Sequence, residues 1–519
     1  MTTVGSLLEW SAQNYPNKRG LVYPRKNQEW TYQEFNDKAN QLAQAFLQLG
    51  IKKGEVISTF LYNTSEFVLT QFAAAKIGAI FNPINYRLTA NELEYILINA
   101  HSKVLLYETE VEDVISKLQR DALEVEHFIH IDKEVHSDHY FYSLLNEQKP
   151  EQPAVEVTEN DLYIMMYTSG TTGKPKGVLH KHRNMVHHSF LMIQCQGYTK
   201  NDTGLTFAPL NHTAELHTSF LPKVQVAATN IILHQFDVNE VLSMMEKEKV
   251  SHAFAAPTMI NMLLNHPDFE KRDLSHLRLI GYGGASIAPV LIKRFLSQTS
   301  AQLVQMYGTT EMGPVMTVLY SDEQLEKPGA AGKAILTHEV KIARVNEDGS
   351  PSHPDNECEV NEVGEIIVRG PCMMEEYYNR AEATEKALAY GWYHTGDMGY
   401  VDNDGYIWIE DRMDFMINTG AENVYPREVE DNLIEHEDVL EAAVVGKPDP
   451  TWGEIVVAFV VRKEDSSITA ETLDTFLIEN EKLAKFKRPR EYYFVDQLPK
   501  TPSGKIQKFI LKKEFEKAT

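Results

Sequence analysis

Helix-like and strand-like patterns alternate along the first third of the chain and resume from residue 238. That alternation restricts the fold to α/β architectures with largely parallel sheets. Thr31-x-x-Glu34 has the form of a capping box, and Phe35, Ala39, Leu42, Ala43, Phe46 and Leu49 follow at helical spacing until Gly50. Residues 56–61 read as a strand, 66–76 as a helix stopped by Gly78, Thr89-x-x-Glu92 as a second capping box and 104–107 as a strand. Further on, 238–247 and 257–264 are helical, and 252–256, 277–280 and 303–306 are strand-like. The last two run into Gly281-Tyr-Gly-Gly-Ala285 and Tyr307-Gly-Thr-Thr-Glu311. Small-residue turns just past strand ends are where α/β folds bind ligands.

The pattern changes to short strands over 365–414, with 365–369 and 406–410 the clearest. Mixed α/β character follows, with a helix after Pro426 and strands at 442–445 and 455–461. At 519 residues the chain is too long for one core. The expected fold is α/β: a large N-terminal domain, 1–413, with mostly parallel sheets and a short-stranded subdomain, and a small mobile C-terminal α+β domain, 414–519.

A net charge of −24 argues against nucleic acid or an anionic membrane as the main partner. The tail from 481 to 519 is the exception, with 11 Lys/Arg against 5 Asp/Glu. Cys195, Cys358 and Cys372 form no Cys-x-x-Cys pair, so neither a disulfide framework nor a structural zinc site is expected. The N-terminus lacks a signal-peptide layout and no apolar run approaches the ~18 residues of a membrane span, so the expected setting is cytoplasmic. His180, His182, His187 and His188 match no common zinc spacing and read as a solvated helix face.

The strongest chemical signal is Tyr167-Thr-Ser-Gly-Thr-Thr-Gly-Lys-Pro-Lys-Gly177, directly after an apolar stretch. Glycines let a backbone approach an anion, hydroxyls donate to phosphate oxygens and lysines add charge. It is not a Walker A loop. This segment resembles the phosphate loop of the adenylate-forming superfamily, which includes acyl-CoA ligases, luciferases and peptide-synthetase adenylation domains. Further motifs of that family follow in order: Gly281–Ala285, Tyr307–Glu311, Trp392-Tyr-His-Thr-Gly-Asp397, Asp411-Arg412, Gly420-Ala-Glu-Asn-Val-Tyr-Pro-Arg-Glu-Val-Glu430 and Pro502-Ser-Gly-Lys505.

The resemblance implies roles for these residues. Thr168, Ser169, Gly170, Thr171, Thr172, Gly173 and Lys176 would hold ATP phosphates. Glu311 would bind Mg²⁺, and Thr310 would contact the α-phosphate. Gly283, Gly284, Ala285, Tyr307 and Gly308 would form the adenine site, and Asp397 and Arg412 the ribose site. Lys505 would stabilise charge during adenylation, with His212 near the carboxylate. Asp414 would be the hinge, and Gly420 would lie beside the CoA path. Four departures stand out: Asn211 for an aromatic residue, Glu215 for a small one, Phe415 for a polar one and Ala421 for glycine. The first two concern the acyl pocket, and Glu215 is expected to face its channel.

The implied reaction activates a carboxylic acid with ATP to acyl-AMP, then transfers the acyl group to CoA. Asn423-Val-Tyr-Pro-Arg-Glu and Phe81-Asn-Pro-Ile-Asn-Tyr-Arg-Leu resemble the medium- and long-chain fatty-acid branch. The alternative is an adenylation enzyme that loads an aryl or amino acid onto a carrier protein. His212 and Glu215 stand where amino-acid activators usually place an Asp, which disfavours that alternative. A non-catalytic nucleotide sensor is disfavoured by the intact Lys505, Glu311 and Asp397. Assembly as a homodimer is a further expectation.

Overall fold

The computed structural model describes the chain except residues 1, 134–137, 169–174, 285–286, 288, 347–348, 413–414, 416, 420–421, 450–451, 465, 480–482, 484–486, 501–505 and 517–519. Backbone alone is described at 411–412, 418, 422–423, 453, 509 and 514–516. Two compact units result: residues 1–340 with 368–393, and 341–367 with 394–519. Residue 414 lies within the range of the second unit and outside the described residues.

The first unit is built on two large sheets. The nine-stranded sheet has a parallel centre in which Gln302–Tyr307, Leu279–Gly283, His252–Ala255, Thr203–Thr206, Thr229–Ile232 and Arg19–Tyr23 lie side by side. The eight-stranded sheet places Leu162–Thr168, Ile80–Pro83, Val56–Phe60, Ser102–Tyr107 and His127–His130 in parallel order. The strand Lys176–Lys181 returns antiparallel to Leu162–Thr168.

Local chemistry sets the helices that cover these sheets. Thr31 Oγ1 accepts from the Glu34 amide at 3.2 Å, and Glu34 Oε2 accepts from the Thr31 amide at 2.8 Å. This reciprocal cap starts Tyr32–Gln48, whose Phe35, Ala39, Leu42, Ala43 and Phe46 are all buried. Phe35 meets Phe72 edge-on at 5.5 Å between ring centroids, a contact worth about 1 kcal/mol beyond its burial. Ser65–Ile77 is buried along its whole length and ends at Gly78, with φ of 69°. A left-handed cap of this kind favours glycine.

The second unit carries most of a four-stranded sheet, ordered Glu339–Ala343, Gly364–Arg369, Tyr393–Val401 and Ile407–Arg412. It also holds the long hairpin Val439–Asp449 with Gly453–Arg462, covered by Pro426–Ile434 and Ala470–Glu479 around a core of Val429, Leu433, Val444, Val456 and Leu473. Among the described residues, no helix is long and apolar enough to cross a membrane.

Several elements have no counterpart in the sequence patterns, among them Val4–Asn14, Thr203–Thr206, Pro289–Gln298 and a π turn. Ala214–Phe220 is a π-helical segment running into the helix Leu221–Gln225, and it buries Glu215, His217, Thr218 and Ser219. The histidine-bearing helix His182–Gln196 corrects the expectation of a solvated face: His180, His182 and His188 are fully or almost fully buried, and only His187 is partly exposed. The helix packs against Val4–Asn14, the π segment and Leu221–Gln225. His182 Nδ1 accepts from the Val4 amide at 3.2 Å.

Candidate active site

Two neighbouring parallel strands, Leu279–Gly283 and Gln302–Tyr307, deliver the second and third motifs at the same end of the sheet, with Gly283 in register with Met306. A Cβ on Gly283 would stand 2.4 Å from the Met306 carbonyl oxygen, and one on Gly308 would stand within 2.9 Å of the 314–315 backbone. Only glycine permits this approach of backbones. Gly284 follows with φ of 82°.

Beyond Tyr307 the chain turns through the short 3-10 helix Thr310–Met312. Residues 307–310 remain partly exposed, whereas Glu311 behind them is buried. His180 Nε2 donates to the Thr310 carbonyl at 2.8 Å, so the strand Lys176–Lys181 is fastened to this turn. Burial holds the His180 imidazole neutral, with its pKa pushed down to about 4. The nitrogen facing the carbonyl must then carry the proton.

Glu311 receives a hydrogen bond from the Tyr377 hydroxyl to Oε1 at 2.7 Å. Tyr377 belongs to the short strand Glu376–Tyr377, which pairs with Val178 and Leu179. Lys181 Nζ to Glu375, at 2.6 Å, anchors that strand. Lys176 Nζ sits 4.2 Å from the centre of the Tyr377 ring. The hairpin's last register pair is Thr168 with Lys176, so the phosphate-loop segment leaves and re-enters beside Glu311 and Tyr377. Ser169, Gly170, Thr171, Thr172 and Gly173 lie outside the described residues, as do Ala285, Asp414, Gly420 and Lys505.

Glu311 meets the requirements of a hard cation. It is a buried carboxylate whose described hydrogen-bond partner is a neutral hydroxyl, with no Lys or Arg at ion-pair distance among the described residues. Mg²⁺ prefers such oxygen ligands.

In the second unit, Asp397 is buried and stands directly opposite Arg412 across the strands Tyr393–Val401 and Ile407–Arg412. The Thr395 hydroxyl donates to the Ile366 carbonyl at 2.6 Å and accepts from the Asp397 amide at 2.9 Å, fixing the backbone that carries the carboxylate.

His212 is exposed, just ahead of the π segment. Glu215 lies elsewhere: it has no accessible surface and accepts from Thr206 Oγ1 at 3.0 Å. Its side chain packs in the interior. Burial raises its pKa, against the pull of the equally buried Lys223 ammonium. The same burial lowers the pKa of Lys223. Tyr377, His180 and Lys223 carry no motif; their roles arise from strand pairing and packing alone.

The chain resembles known proteins along its whole length. The family described as AMP-binding enzyme matches residues 8–378, and its C-terminal domain matches 428–505. A long-chain-fatty-acid–CoA ligase, FadD13, of Mycobacterium tuberculosis is 33% identical, with 99% of each chain covered. A feruloyl-CoA synthase from Amycolatopsis sp. is 35% identical over 93% of this chain and 94% of its own. The crystal structure of the anthranilate CoA ligase AuaEII with anthranoyl-AMP superposes with a TM-score of 0.90 at 28% identity, covering 100% of this chain and 98% of the other. The chain therefore belongs to the AMP-binding enzyme family and is an AMP-forming acid–thiol ligase, which activates a carboxylic acid with ATP and passes the acyl group to CoA.

Proposed function

We propose that the acid is a fatty acid of medium or long chain. The observation that carries this reading is the full-length match to a long-chain-fatty-acid–CoA ligase at 33% identity, together with the segments at 81–88 and 423–428. In the first half-reaction a carboxylate oxygen attacks the α-phosphorus of ATP and pyrophosphate leaves. Negative charge then gathers on the phosphoryl oxygens, and groups placed to meet it lower the barrier more than they stabilise the ground state. Thr168, Lys176 and Thr310, with 169–173, supply such groups, and Lys505 adds an ammonium. Tyr377 holds the Glu311 carboxylate in place, and Glu311 would hold Mg²⁺, which screens phosphate charge when bound. His212 orients the acid. Gly283, Gly284, Ala285, Tyr307 and Gly308 receive adenine, and Asp397 and Arg412 receive ribose. In the second half-reaction the CoA thiolate attacks the acyl carbonyl and AMP leaves. A swing at Asp414 brings Gly420 to the pantetheine arm.

A second reading, an aryl acid with polar substituents, is favoured by one observation. The feruloyl-CoA synthase of Amycolatopsis sp. matches 93% of this chain at 35% identity, slightly above the fatty-acid ligase. A panel of acids from acetate to oleate, with ferulate and anthranilate, read by CoA-dependent pyrophosphate release, separates the two. Highest kcat/KM with a fatty acid supports the first reading, and highest kcat/KM with an aryl acid overturns it. The three cysteines are free and buried, which suits a reducing compartment such as the cytoplasm. Assembly as a homodimer belongs to the same proposal and is checked by light scattering.

A further inference from the structure

Away from the nucleotide motifs, three metal-binding groups meet where strands of both large sheets end. Glu108 follows Ser102–Tyr107, Glu110 begins the next turn and His234 follows Thr229–Ile232. One ligand atom from each lies within 4.8 Å of the others. His234 Nε2 is 3.7 Å from Glu108 Oε2 and 3.9 Å from Glu110 Oε1. Both distances are too long for hydrogen bonds. They lie a few tenths of an ångström beyond the spacing of two ligands sharing one small cation, since metal–ligand bonds of about 2.0–2.2 Å at tetrahedral angles place ligand atoms roughly 3.3–3.6 Å apart.

The histidine points to a ligand independently of the carboxylates. It is 7% exposed, and its Nε2 has no hydrogen-bond partner. Its other nitrogen, Nδ1, lies 3.0 Å from the Tyr23 hydroxyl, and its ring stacks on Tyr62 at 4.7 Å. With Nδ1–H donating to Tyr23, the Nε2 lone pair faces the two carboxylates. That is the tautomer a metal-bound histidine adopts, with an outer partner fixing the ring.

Local charge leaves room for a cation. Glu66, Glu108, Glu110 and Asp132 lie near one another, against Arg25 and Lys26. Lys26 pairs with Glu66 and Asp132, at 2.8 and 3.0 Å, and Arg25 pairs with Glu110. Glu108 is 2% exposed and accepts from the Tyr62 amide. It has no Lys or Arg at ion-pair distance among the described residues. Glu110 is exposed, and its Oε1 now meets Arg25, so a bound cation would take over that contact.

We propose that Glu108, Glu110 and His234 bind one Zn²⁺ ion, which ties an end of the eight-stranded sheet to an end of the nine-stranded sheet. One imidazole with two carboxylates is a donor set that Zn²⁺ accepts, and solvent on the Glu110 side completes four-coordination. The ion would act on stability, since none of its ligands belongs to the adenylation motifs.

The test is equilibrium dialysis of the full chain with Zn²⁺ in millimolar Mg²⁺, which occupies hard-oxygen sites such as Glu311. One Zn²⁺ per chain is expected, together with a raised melting temperature. Glu110→Gln, at an exposed position, and the isosteric Glu108→Gln should each weaken binding at least about tenfold, and His234→Gln should abolish it. Tyr23→Phe, which removes the outer partner, should weaken binding about 10- to 100-fold. Co²⁺ should give visible bands of low coordination number that disappear in His234→Gln. The proposal is overturned if the unmodified chain binds no Zn²⁺ under these conditions. It is also overturned if folded Glu110→Gln and Glu108→Gln chains bind Zn²⁺ as the unmodified chain does.

Discussion

Glu215 and Lys223 are opposite charges buried close enough to act on one another, with Asp202 also acting on Lys223, and removing one charge should show how strongly each depends on the other. Both side chains have no accessible surface, and Lys223 Nζ has no hydrogen-bond partner. Glu215→Gln keeps the contact with Thr206 but leaves the ammonium with Asp202 as its remaining opposite charge. Losing one member of a buried pair costs about 3–5 kcal/mol. At roughly 2 °C per kcal/mol for a large domain, the melting temperature should fall by about 6 °C or more. Lys223→Met should destabilise less, because Glu215 is already raised to about 7 and can stay protonated. Glu215→Gln combined with Lys223→Met should return to within about 1 kcal/mol of the parent, since apolar replacement of a whole buried pair is often neutral. Thermal and urea melts of the four proteins at pH 7.5 close the cycle. Single variants that each cost under about 1 kcal/mol and add in the double would refute the coupling. Because Glu215 has no accessible surface, the double variant should also keep the parent's preference among acids. A shifted preference would place this side chain in the acid pocket.

Other predictions concern the site and its pH response. Glu311→Gln should reduce kcat/KM for Mg-ATP on the order of 10² while leaving the melting temperature within about 2 °C; wild-type kinetics at low Mg²⁺ would refute the assignment. Lys505→Ala should abolish acyl-AMP formation, yet convert supplied acyl-AMP and CoA to acyl-CoA. Asp414→Pro should do the reverse, because proline fixes φ at the hinge; equal loss of both half-reactions in folded variants would contradict the swinging-domain account. His180, His182 and His338 are each lowered to about 4, and His217 to about 3, from an ordinary 6.5. The unfolded chain protonates them below 6.5 while the fold does not, so their stabilisation is complete above that pH and is lost as pH falls towards 4. Each contributes a slope of about 1.4 kcal/mol per pH unit. Glu108 and Glu215, raised by burial, act in the opposite sense but are fewer. The melting temperature should therefore drop from pH 7.5 to pH 5, and a rise over that interval would contradict the assignment.

Local chemistry made much of the scaffold legible. The reciprocal caps at Thr31 and Thr89 formed as their sequences predict, and the helix Val238–Lys247 matches its periodicity residue for residue. The strands before Gly281–Ala285 and Tyr307–Glu311 were legible from apolar runs ending in small residues, and the structure shifts their ends by only a few residues. Long-range placement was not legible. His180, His182 and His188 read as a solvated helix face because their spacing matches no common zinc motif. Their burial depends on Val4, Thr310 and the π segment, which are distant in sequence. The π turn itself leaves no trace in a periodicity of 3.6. Tyr377 reaches Glu311 only through pairing of its two-residue strand with Lys176–Lys181. Glu108 and His234 meet only because two sheets end side by side, which no spacing in one sequence reveals.

The most direct test of the central claim is a single-turnover experiment with ATP, Mg²⁺ and a fatty acid, first without CoA and then with it. The account predicts one equivalent of pyrophosphate and of enzyme-bound fatty acyl-AMP before CoA is added, detected by mass spectrometry. Addition of CoA should then release AMP and fatty acyl-CoA in equal amounts. Formation of ADP and phosphate, or the absence of acyl-AMP with every fatty acid while an aryl acid yields it, would contradict the account.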